Sequence, residues 1–95
     1  MANKTTKICL RGKFTFDSRQ EFHAAANAAL SDVQANNILV DLSAVNYVDS
    51  SAIGLLLILK DKAVTVNKTV SLTGATGTVA ELFKLINLDR MFLLT

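Results

Sequence analysis

Helix-like and strand-like segments alternate along nearly the whole chain, and that alternation restricts the folds open to it. Ile38-Leu39-Val40-Asp41-Leu42 is a short, almost continuous apolar run, the pattern of a central strand covered on both faces. Before it, Phe22, Ala25, Ala26, Ala29, Leu30 and Val33 recur at helical spacing, and the small alanines predict a helix lying close to what it covers. After it, the pattern predicts a second helix from about Ser51 to Val64 and a strand over Thr69–Leu72. A third helix follows, with the stripe Val79, Leu82, Phe83 and Ile86, and Met91–Leu94 reads as a last short strand. At the start, Lys7–Arg11 reads as one strand, and Phe14 and Phe16 alternate around Thr15 after a Gly12-Lys13 turn. Ser18 with Glu21, and Thr78 with Glu81, have the spacing of capping boxes at the first and third helices. Two strands followed by three helix-strand units imply crossover connections and a largely parallel sheet. The expectation is an α/β fold with a four- to five-stranded mixed sheet and about three helices, its first strand an antiparallel hairpin partner.

Composition narrows the functions. A chain of 95 residues, 51% apolar and 19% charged, is expected to form one folded domain over residues 1–95. The single Cys9 excludes an intrachain disulfide, and its place in a strand predicts a core residue. No Cys/His group has zinc spacing, so no metal and no cofactor are expected. The longest apolar run, Ala52 to Leu59, falls far short of the roughly 20 residues of a membrane span. Met1–Lys7 has no long apolar stretch behind it, so no signal peptide is expected; the expectation is a cytoplasmic protein without membrane insertion. The net charge is +2 and no Lys/Arg cluster stands out, only Lys60 and Lys62 lying close together, which argues against a nucleic-acid partner.

Catalytic sets are missing. The lone His23 sits off the apolar face of its helix, so neither a Ser-His-Asp nor a Cys-His set can be assembled around it. Asp41 and Asp49 are the only acids near strand ends, where α/β domains usually bind ligands. Gly74-x-x-Gly77 lacks the lysine and the length of a phosphate loop and reads as a turn. The expectation is a protein with no catalytic residue.

The segment Asp41-Leu42-Ser43-Ala44-Val45-Asn46-Tyr47-Val48-Asp49-Ser50-Ser51-Ala52-Ile53-Gly54-Leu55 carries a resemblance. It is similar to the STAS family, in which a buried strand ending in Asp-Leu/Phe is followed by a short loop and by Asp-Ser-Ser/Thr-Gly-Leu-Gly opening a helix. This chain departs at Ala52 for glycine and Ile53 for leucine. The likeness extends to Leu10-x-Gly12, to Phe16-Asp17-Ser18 and to the Val79…Leu82-Phe83…Leu88 spacing. The family often adds a helix after the last strand, whereas this sequence stops at Thr95.

The resemblance implies an anti-sigma-factor antagonist. Such proteins are phosphorylated on the first hydroxyl residue after the motif aspartate, here Ser50, with Asp49 and Ser51 supporting it. The implied partners are an anti-sigma factor that is a serine kinase, or a related regulatory kinase, and a cognate phosphatase. Read from spacing alone, Ser50 or Ser51 could equally serve as a helix cap, and Asp49 as a favourable charge at a helix dipole. The second helix is apolar nearly all round, which one sheet face does not require. Ile53, Leu56, Leu57 and Ala63 are assigned to the core, leaving Leu55, Ile58 and Leu59, with Asp41, as candidate partner contacts. Burial beneath neighbouring loops is the other account of those leucines. Two other functions stay open: a STAS subunit of a lipid or solute ABC transport complex, and a small-molecule or nucleotide binder at the Asp41/Asp49 end of the sheet.

Overall fold

The chain alternates strand and helix in the order β1 (Thr5–Phe14), α1 (Arg19–Ser31), β2 (Asn37–Val48), α2 (Ser50–Thr65), β3 (Thr69–Thr73), α3 (Gly77–Leu85) and β4 (Leu93–Leu94). Single 3-10 turns at Phe16–Ser18 and Leu88–Arg90 lead into α1 and β4. The computed structural model describes residues 4–94; the first three residues of the segment read for a leader, and Thr95, lie outside the described residues.

The sheet has three full parallel strands, and the two-residue β4 extends it at one edge in the order β1-β2-β3-β4. Every pairing is parallel, with Ile8 beside Val40 and Ile38 beside Val70. The expected four- to five-stranded mixed sheet with an opening hairpin is therefore corrected. Gly12 explains the difference. At φ +69° it takes a conformation open to glycine, and the register slips between Cys9 and Arg11 and again between Gly12 and Lys13. The chain absorbs the irregularity without reversing, and Phe14 still pairs with Val48.

Alternate strand positions supply one core. Ile8 and Phe14 from β1, Ile38, Val40 and Leu42 from β2, and Val70 and Leu72 from β3 join Phe22, Ala26 and Ala29 of α1 and Val79 and Phe83 of α3. Val45 and Val48 of β2 join the same core, and the remaining positions of β1 and β2 are exposed or half-exposed, so β2 is covered on one face and not on both. Cys9 lies on that uncovered side and is exposed, which corrects its placement in the core. There the Asn37 side chain links three strands: its amide donates to Thr5 Oγ1 and Ser71 Oγ, and its oxygen accepts from Thr69 Oγ1 at 2.8 Å.

The helix ends also differ from the capping-box expectation. Thr15 and Ser18 form the reciprocal box around the 3-10 turn instead, while Thr76 precedes α3 without a side-chain cap. Lys68 is a residue that periodicity could not find. Its ammonium is buried and donates to the carbonyls of Asp32 and Ala35, clamping the α1–β2 connection from the far end of α2.

Candidate functional site

β2 does not stop at Leu42. It continues to Val48, so residues 43–48, where the family pattern has a short loop, are strand, and Asp49 follows directly as the N-cap of α2. Asp49 has extended backbone angles, φ −102° and ψ 176°, as an N-cap requires. Its Oδ1 accepts from the Ala52 backbone N–H at 2.8 Å, and its Oδ2 accepts from the Phe16 backbone N–H at 3.2 Å. One carboxylate thus fastens the start of α2 to the β1–α1 connection. The Asp49 N–H in turn donates to the Phe14 carbonyl at 3.4 Å.

This arrangement divides the labour within Asp49-Ser50-Ser51. The cap is the aspartate, so neither serine hydroxyl is needed for it. Ser50 is the first residue of α2, and both serines are exposed. An oxygen at Ser50 stands at the positive end of a 16-residue helix, where the first N–H groups have no partner within the helix. Phe16, 54% exposed, flanks the same turn, with the Arg19 guanidinium 4.0 Å above its ring centroid.

Beside Ser50 lies an apolar groove of about 320 Å³, lined by Ser50, Ile53, Leu57, Ile86, Leu88 and Met91. Ile53 and Leu57 are half-buried along it, and Ile86 and Met91 are 38% and 46% exposed at its far wall.

The candidate contacts on α2 need correction. Leu59 is 1% exposed and Leu55 9%, and both belong to the core; of the three, only Ile58, 46% exposed, reaches the surface. Ala52, Leu55, Leu56, Leu59 and Ala63 form the buried stripe. The stripe is turned about one position from the expected one, with Ala52 and Ala63 both fully packed on the buried side.

Asp41 stands apart as well. It lies inside β2 opposite Cys9 and Thr73, eight residues before Asp49, which along a strand is roughly 25 Å. Its carboxylate accepts from the Ser43 N–H at 2.9 Å and pairs with the Lys7 ammonium at 3.2 Å. The Ser43 backbone and hydroxyl, then Lys7, hold its pKa below the ordinary carboxylate value. The two aspartates therefore stand apart and do not form one ligand site. Among the described residues no cluster of three or more His, Cys, Asp or Glu could hold a metal ion, and no helix is long and apolar enough to cross a membrane.

A helix-capping aspartate is thus followed by an exposed serine at the rim of an apolar groove, on an α/β domain with a parallel sheet. A family model described as "Mlab, STAS domain" matches residues 1–95. A STAS-domain containing protein of Pseudomonas aeruginosa (strain UCBPP-PA14) is 32% identical over 85 residues, 90% of this chain and 82% of the relative. The chain belongs to the STAS domain family. Among solved structures, a candidate anti-sigma factor antagonist of Thermotoga maritima superposes with a TM-score of 0.82 at 19% identity, over 95% of this chain and 77% of that one. The Bacillus cell fate determinant SpoIIAA in its phosphorylated form gives 0.71 at 19% identity, over 99% and 85%. The SulP transporter STAS domain from Vibrio cholerae gives 0.72 at 15% identity, over 96% and 70%. At these identities the likenesses establish the fold alone.

Proposed function

We propose that this STAS domain is a non-enzymatic antagonist of an anti-sigma factor, switched by phosphorylation of Ser50. The observation that carries the reading is the exposed Ser50 at the first position of α2, released from capping by Asp49 and set at the mouth of the Ile53/Leu57/Ile86/Met91 groove. SpoIIAA, an anti-sigma factor antagonist of the same fold, exists in phosphorylated and unphosphorylated forms, which supports the reading.

In the unphosphorylated state the groove and neighbouring Ile58 offer apolar surface to the partner, a serine kinase, while the neutral hydroxyl costs little to bury. Phosphate adds about −1.5 to −2 charge beside Asp49. A partner surface that accepted the hydroxyl then meets an anion that it must desolvate next to a second carboxylate, and it is released. A separate phosphatase restores the binding form. Asp49 keeps the helix end in place throughout; it is a positioning residue, not a catalytic one.

A second reading is favoured by one observation: the SulP transporter domain superposes as well as phosphorylated SpoIIAA does. In that reading the same helix end docks on a transport protein and needs no phosphate.

Incubation with the cognate kinase and ATP, followed by phosphate mapping, separates the two. Wild type and Ser51→Ala are expected to carry phosphate on Ser50, and Ser50→Ala none. Phosphate on Ser50→Ala at the wild-type level refutes the assignment. Tight binding to a transport protein that phosphate on Ser50 leaves unchanged favours the transport reading.

A further inference from the structure

β1 ends the sheet, and among the described residues no strand pairs with its outer edge. Ten residues long, it presents backbone groups that only another extended chain can satisfy in series. A groove of about 330 Å³ lies between β1 and α1, lined by half-buried Leu10 and Ala25 over the buried Phe14 and Phe22 and bordered by Arg11 and Lys13. Lys7 also reaches the groove but is paired with Asp41, and Glu21 of α1 is the one carboxylate on its wall. Among the described residues, Arg11 and Lys13 have no ion-pair partner. Ser18 Oγ donates to the Lys13 carbonyl at 3.1 Å and closes the edge there, so the free stretch lies before it. Lys7, Arg11 and Lys13 lie within seven residues of sequence, and all three line this one groove.

We infer that this edge is a second docking surface, separate from the Ser50 groove, and that its occupant is an extended acidic segment of a partner protein added as a strand beside β1. A backbone edge selects an extended chain, an apolar floor takes alternate side chains, and unpaired cations on the rim select carboxylates on the others. A second copy of this chain is disfavoured, because pairing β1 with β1 brings the Lys7, Arg11 and Lys13 rows together.

The test is a selection of displayed random peptides on the folded full chain, with R11E/K13E kept out of the selection and used only in the binding measurements that follow. Selected peptides are expected to alternate Asp or Glu with apolar residues and to shift amide resonances over residues 7–13. They are also expected to bind R11E/K13E, and wild type in raised salt, about tenfold more weakly. If R11E/K13E does not fold, R11Q/K13Q is expected to weaken binding in the same direction. A selection without acidic enrichment, unchanged affinity in a folded variant, or shifts centred on α2 would overturn the inference. So would self-association through β1, or charge-dependent binding to anionic lipid vesicles with no peptide binding.

Discussion

Replacing Asp49 by alanine removes two hydrogen bonds at once, and their separate magnitudes set the expected loss. The first is the N-cap bond from Ala52 N–H at 2.8 Å, worth about 1 kcal/mol for a cap replaced by alanine. The second is the bond from Phe16 N–H at 3.2 Å, whose removal costs about 1 kcal/mol more. Asp49→Ala should therefore destabilise the fold by about 2 kcal/mol, which for a domain of this size lowers Tm by about 12 °C. Asparagine caps a helix about as well as aspartate, but its amide nitrogen cannot accept a bond from Phe16. Asp49→Asn should then cost about half as much, about 1 kcal/mol. Urea unfolding followed by circular dichroism gives both values, and hydrogen exchange distinguishes the two bonds. Asp49→Asn should lose protection at Phe16 and keep it at Ala52, whereas Asp49→Ala should lose both. Stability of Asp49→Ala within about 0.5 kcal/mol of wild type, the range of an ordinary surface substitution, would refute the bridging role.

The buried stripe of α2 predicts that Leu59→Asp fails to fold or loses about 3 kcal/mol or more, since it places a carboxylate at a position 1% exposed. Ile58→Asp should stay within about 0.5 kcal/mol of wild type by thermal unfolding and, in the proposed function, weaken partner binding. Acid should destabilise the fold through Asp32 and Asp41. The Thr6 hydroxyl and the Gln34 N–H lower the first, and the Ser43 backbone and side chain, with Lys7, lower the second. Both folded values lie below the unfolded value of about 3.9, so their contribution is complete above that pH and disappears as pH falls through the folded values. A urea midpoint series across acid pH should decline below about pH 4, and Asp41→Asn should flatten part of the decline.

The sequence carried the order of elements because the period changes at each boundary, and it carried Asp49-Ser50-Ser51 because the motif is local. What it lacked was long-range. Gly12 reads as a turn, yet whether a glycine reverses a chain or bends a strand depends on the partner strand, here β2 carrying Lys13 and Phe14 forward beside Tyr47 and Val48. The error at Leu55 and Leu59 has the same origin. On a helix apolar all round, periodicity cannot locate the buried side, and the usable signal was Ala52 and Ala63, small residues that both lie fully buried. Asp49 as the cap was within reach, since aspartate suits that position as well as serine, but its bond to Phe16 joins residues 33 apart and no local pattern shows it. The cations of β1 are close in sequence, but the groove that they line beside α1 is a tertiary feature that no local pattern shows.

The central claim is that the charge state of Ser50 alone decides whether the α2 end binds its partner. Its most direct test installs phosphoserine at position 50 in the intact chain and compares its Kd for the cognate kinase, by calorimetry, with that of unmodified protein. Loss of a desolvated contact beside Asp49 predicts binding at least about a hundredfold weaker, with amide spectra unchanged away from the helix start. Equal affinity of the two forms would contradict the account.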